Sequence, residues 1–188
     1  MNKAVLIIIG IVIVLIVVGG WFISGLNRVF ILQEGVTAAW SQVENQLQRR
    51  NDLIPNLVST VKGYAAHERE VFEEVTRLRS QWATASSRGD KIQAAEGLGG
   101  VLSRLLLVAE NYPLLKANQN FLNLQAQLEG TENRIAVERN RYNRTVKDFN
   151  SYIRTIAGGF FAGIRGINKP EKYFEAEAVA RAVPKVEF

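Results

Sequence analysis

The chain has no cysteine and a single histidine in 188 residues. No disulfide can hold it, and no thiolate can ligate a metal or act as a nucleophile. A zinc site of the H-E-x-x-H kind needs a second histidine, which His67-Glu68 lacks. That pair reads as a surface histidine beside a carboxylate. A serine activated by histidine has only His67 to draw on, and no G-x-S-x-G turn is present. There is no P-loop and no G-x-G-x-x-G in a strand-turn-helix context; Gly97-Leu98-Gly99-Gly100 lies in a helical pattern. Asp148 and the many glutamates have the spread of ordinary helical surfaces, without a signal for acid–base work. The net charge of +5 is dispersed, with no basic stripe interleaved with aromatics, which argues against nucleic acid. No catalytic set, cofactor or metal site is therefore expected. The lack of cysteine suits oxidising and reducing compartments alike.

Charge is also missing from residues 4–23, AVLIIIGIVIVLIVVGGWFI. A helix of that length is about 30 Å long, the thickness of a bilayer's hydrocarbon core. Ala4 and Val5 open it; Trp21, Phe22 and Ile23 close it with an aromatic pair suited to the lipid–water boundary. A cleaved signal peptide is the rival reading. Its apolar region is roughly 7–15 residues and ends at small residues, whereas Gly19-Gly20-Trp21-Phe22 follows here. An uncleaved single-pass anchor over 1–26 is expected. Lys3 and the α-amine precede the span and Arg28 follows it. That count favours a cytoplasmic N-terminus and an extracytoplasmic domain over 27–188.

Beyond the span the pattern is helical. Trp40, Leu47, Ile54 and Val61 form one line at sevens; Val43, Leu57, Tyr64, Val71 and Leu78 form the other, with Arg50 filling its gap. The spacing predicts one long helix over 26–84, kinked at Pro55, with Asn51-Asp52 as an alternative fresh start. Residues 85–90 read as a turn, and a second helix covers 91–111 with Ala95, Leu98, Leu102, Leu105 and Ala109 inward. Its glycines weaken it and allow a close neighbour. The strongest segment is 114–156, where Phe121, Leu128, Ile135, Tyr142, Phe149 and Ile156 recur at sevens. Beside them runs a polar seam of Gln125, Glu132, Arg139 and Asn143. Residues 157–166 are too glycine-rich for a long helix, Pro170 opens a short final one over 171–181, and 183–188 form an extended tail. The fold class is all-α: a transmembrane helix followed by an antiparallel bundle of about four helices.

Several blocks then carry a resemblance. They are Arg49-Arg50-Asn51-Asp52-Leu53-Ile54-Pro55-Asn56-Leu57-Val58, Lys62-Gly63-Tyr64-Ala65-Ala66-His67-Glu68, and Tyr112-Pro113-Leu114-Leu115-Lys116-Ala117-Asn118. Leu124-Gln125-Ala126-Gln127-Leu128-Glu129-Gly130-Thr131-Glu132-Asn133-Arg134-Ile135, Arg141-Tyr142-Asn143 and Lys172-Tyr173-Phe174-Glu175 complete them. The chain closely resembles the LemA family of bacterial membrane proteins over essentially its whole length. It departs where relatives usually have a proline, near Ile156-Ala157, and has Ala157-Gly158-Gly159 instead. The resemblance implies an N-terminal membrane helix leading into an antiparallel bundle, without catalytic residues.

Two surfaces remain to be assigned. The polar seam either pairs within the bundle, fixing register, or bonds to another protomer. The segment around Phe160 and Phe161 is either a packed crossover or a part that dips into lipid or meets a neighbouring subunit. The functional expectation is a non-enzymatic membrane scaffold that forms homo-oligomers and supports or shapes the membrane. The alternative is an adaptor that recruits a membrane protease, insertase or envelope-stress partner.

Overall fold

The computed structural model describes residues 3–167 and 169–174, all helices and connecting turns. The helices are α1 (Lys3–Lys62), α2 (Arg69–Thr84), α3 (Arg88–Glu110), α4 (Pro113–Lys116), α5 (Gln119–Ile153) and α6 (Ile156–Ile164). The chain divides into two compact units, Met1–Trp40 with Arg141–Tyr173 and Ser41–Asn140 with Phe174–Phe188. The long helices α1 and α5 each contribute to both.

In the first unit α1 and α5 run antiparallel. Trp40 meets Tyr142 edge to face at 5.7 Å, and Arg28 lies over the ring of Tyr152 at 5.3 Å. Positions that descend along α1 thus ascend along α5. The heptad residues Val29, Val36 and Trp40 on one side and Tyr142, Val146 and Phe149 on the other are buried. The return segment after α6 is tied down by α5. Asn150 donates to the Glu171 carbonyl and accepts from its amide, both at 2.9 Å, and the Tyr142 hydroxyl donates to the Lys172 carbonyl at 3.0 Å.

In the second unit a continuous apolar core joins Ile54, Leu57 and Val61 of α1, Val71, Val75 and Leu78 of α2, Leu98, Leu102 and Leu105 of α3, and Phe121 and Leu128 of α5. α2 and α3 form its helical hairpin. Ser87 caps α3 by accepting from the Asp90 amide at 3.1 Å. Asn118 caps α5 by accepting from the amides of Asn120 and Phe121. Gly97 permits the expected close approach: a Cβ there would lie 3.1 Å from Leu78.

The structure alters four expectations. The helix expected over 26–84 is broken at 63–68, and the break is not at Pro55, which sits inside α1 on an exposed side. Tyr64, counted in the heptad line, is 41% exposed because the chain turns there. The turn expected at 85–90 is shorter, since Ser87 starts α3 early. The segment expected over 114–156 is three helices. Asn118 restarts the chain at its head, and Thr155 opens α6 at its foot by accepting from the Gly158 amide. Ile156 is therefore 97% exposed, although it continues the spacing of seven. Glu171–Phe174 are not helical; the rest of the expected final helix and the tail lie outside the described residues.

Candidate membrane anchor and assembly surfaces

The anchor is built from the start of α1. The most apolar 18-residue stretch of that helix is 0% buried. Ala4, Val5, Trp21, Phe22 and Ile23 are all exposed. So large an unbroken apolar surface is not stable in water and marks a lipid or protein contact. α3 is also long and apolar enough to cross a membrane, but 44% of its apolar stretch is buried. Its Leu98, Leu102 and Leu105 fill the core of the second unit, so it reads as a core helix.

Within the first unit α6 lies beside the end of this stretch. Phe161 is 1% exposed and packs on Trp21 at 5.0 Å and Phe22 at 5.6 Å between ring centroids. The approach is possible because position 25 is glycine: any Cβ there would overlap the Phe161 ring. Arg165, just past α6, donates to the Leu26 carbonyl at 3.2 Å and stacks on Phe30 at 5.1 Å. Phe160, by contrast, is 55% exposed. The two neighbouring phenylalanines thus differ in exposure: Phe161 holds α6 to α1, and Phe160, edge to face with it at 5.3 Å, keeps its outer side open.

The polar seam is distributed over both units. Glu132 accepts from Arg50 Nη1 at 3.1 Å, and Arg50 Nη2 donates to the Ala95 carbonyl at 2.7 Å. Arg50 is only 2% exposed, whereas the Glu132 side chain is 43% exposed. The buried guanidinium therefore ties α1, α3 and α5 together, with its carboxylate partner reaching from the rim. Arg139 lies over the ring of Phe174 at 4.6 Å. Gln125 donates to Glu129 one turn on, at 3.1 Å, and lines a surface groove with Leu106 and Leu107. Asn143 is half-buried in the first unit. Within the second unit Glu132 thus bonds to Arg50 and Arg139 lies over Phe174, and Gln125 faces a groove.

Sequence reasoning missed Arg50, Gly25 and Arg165. Arg50 had a signal: a cation at a heptad core position demands a buried acceptor. Gly25 and Arg165 had none that spacing reveals, because their partners lie more than 130 residues away along the chain. Among the described residues no group of three or more His, Cys, Asp and Glu side chains is placed to hold a metal ion.

A family model described as the LemA family matches residues 39–188. The chain is similar to magnetosome protein MamQ 2 of Paramagnetospirillum magneticum, 26% identical over 81% of this chain and 65% of the relative. It is also similar to magnetosome protein MamQ of Magnetospirillum gryphiswaldense, 25% identical with the same coverage. Protein LemA of Metamycoplasma hominis is 22% identical over 71% of this chain and 62% of the relative. The chain thus spans a little under two thirds of the length of these relatives, and none of their names denotes a catalytic activity.

Proposed function

The chain belongs to the LemA family, and on that footing we propose that it is a non-enzymatic, single-pass protein of the bacterial inner membrane that associates with copies of itself and supports or shapes the bilayer. The observation that carries this reading is the wholly exposed apolar start of α1, continuous with a packed helix. Val29 and Val36, one and three turns beyond the span, are 0% exposed. The anchor therefore continues directly into a helix held by α5, with no linker between them. A stiff junction of this kind suits a protein that transmits order to a membrane better than one that tethers a mobile catalyst.

Self-association rests on the surface around Gln125. The groove there is flanked by Leu107, which is 60% exposed. Leu114, in the short α4 that joins α3 to α5, is 77% exposed. Exposed leucines beside a polar side chain suit an interface with a second protein surface. Cross-linking in native membranes tests the reading: dimers and larger species of this chain alone are expected. Monomers only would contradict it, and a stoichiometric second protein would replace it with the adaptor reading.

The packed helices lie on the extracytoplasmic side in this proposal. Of the cations close to the span along the chain, Lys3 stands before it and Arg28 after it. The cysteine-free chain allows a direct check. Ser80→Cys in intact cells should react with a membrane-impermeant maleimide; protection until lysis would reverse the orientation.

A further inference from the structure

We propose that α6 is a second membrane contact: an interfacial helix lying at the boundary of lipid headgroups and acyl chains beside the end of the span, with Arg154 and Lys169 next to it binding lipid phosphates. The inference rests on the reading of α1 as a membrane span and extends it to a part of the chain more than 130 residues away.

Depth is the first argument. Phe161 packs on Trp21 and Phe22, which belong to the last turn of the charge-free stretch. A helix advances about 1.5 Å per residue, so a ring in contact with residues 21 and 22 sits within a few ångströms of the apolar region's edge. If α1 spans the bilayer, α6 has no room to stand away from it.

Chemistry is the second. α6 reads IAGGFFAGI, without one charged side chain. Its inner stripe, Gly158, Phe161 and Ala162, is buried. Its outer stripe is Ile156, Phe160 and Ile164, spaced by four on one helix face and exposed by 97%, 55% and 51%. A nine-residue helix apolar on its outward face as well as its inward one is unsuited to water. Apolar side chains at that depth have acyl chains as their natural surroundings.

Charge is the third. At this level of the first unit stand Arg28, Arg154, Arg165 and Lys169, while the nearest acidic residues along the chain, Glu34, Asp148 and Glu171, lie just beyond it, Glu171 held through its backbone by Asn150. Arg28 and Arg165 are occupied with Tyr152, Phe30 and the Leu26 carbonyl. Arg154 and Lys169, both exposed, flank α6 on either side along the chain. A cationic rim around an apolar helix matches an anionic lipid surface.

The test uses the full chain in vesicles, and the absence of native cysteine permits single nitroxide labels. Labels are placed through Phe160→Cys and Ile164→Cys in α6, Leu15→Cys in the span and Ser80→Cys in the second unit. Collision with oxygen, which concentrates in lipid, is compared with collision with a water-soluble nickel chelate. The labels at 160 and 164 should favour oxygen, as at 15, and the label at 80 should favour the chelate. If 160 and 164 behave like 80, or are shielded from both agents as in a protein contact, the proposal is overturned while the anchor stands. If 15 favours the chelate, the anchor itself fails.

A second arm uses spin-labelled lipids in phosphatidylcholine vesicles. Labelled phosphatidylglycerol should associate at least about threefold more strongly than labelled phosphatidylcholine. The preference should fall in the Arg154→Gln/Lys169→Gln variant while the label at 160 stays at the same depth. Equal association of the two lipids with the parent chain would overturn the phosphate contact.

Discussion

Position 25 shows how much rests on one missing side chain. A Cβ at Gly25 would overlap the Phe161 ring, and Phe161 is what holds α6 to α1. Gly25→Leu should therefore loosen α6, at a cost of about 1–3 kcal/mol typical of an overfilled contact. Hydrogen exchange should show faster exchange of the 158–164 amides in that variant and unchanged exchange in α3. Equal protection in both chains would mean that α6 is held elsewhere. Arg50 makes the complementary case. Glu132→Ala leaves a buried guanidinium with the Ala95 carbonyl as its remaining acceptor, and should lower stability by about 1–3 kcal/mol. Adding Arg50→Met removes the stranded charge and should recover at least half of the loss. Thermal melts of the detergent-held chain check both. A double variant less stable than Glu132→Ala alone would contradict this account of the seam.

Among the elements, α1 carries the least expected result. It passes through Pro55, whose ring removes one backbone donor and crowds the preceding turn. Replacing it by alanine should therefore stabilise the helix, by up to about 3 kcal/mol. A lower melting temperature in Pro55→Ala would show that the proline's local geometry is itself required. The heptad spacing made the core faces of α1, α3 and α5 readable: Leu47, Ile54, Leu98, Leu105, Phe121, Leu128, Ile135, Tyr142 and Phe149 are all buried. It also ran on past real helix ends. Val71 and Leu78 keep the count of sevens from α1, yet they are buried because α2 packs on α3 after a turn. Spacing records which residues seek the core; it does not record whether the chain between them stays helical. The stop signals were present at short range, as Lys62-Gly63 after α1 and Thr155 before α6, but the apolar count outweighed them. The contacts of Gly25, Arg50 and Arg165 were not legible, since each depends on which distant helix arrives beside it.

For the whole molecule, the exposed apolar start of α1, the helical body and the cations Arg154, Arg165 and Lys169 around α6 are the features from which lipid contact is proposed. The chain belongs to the LemA family and is similar to two magnetosome proteins. Everything proposed here, from self-association to the lipid contact of α6, requires that the first helix stays attached and enters the bilayer. The intact mass of the protein recovered from carbonate-washed membranes decides this. The account predicts a membrane-bound species that still carries residues 4–23 in full. A freely soluble species whose mass corresponds to a start beyond residue 23 would contradict it.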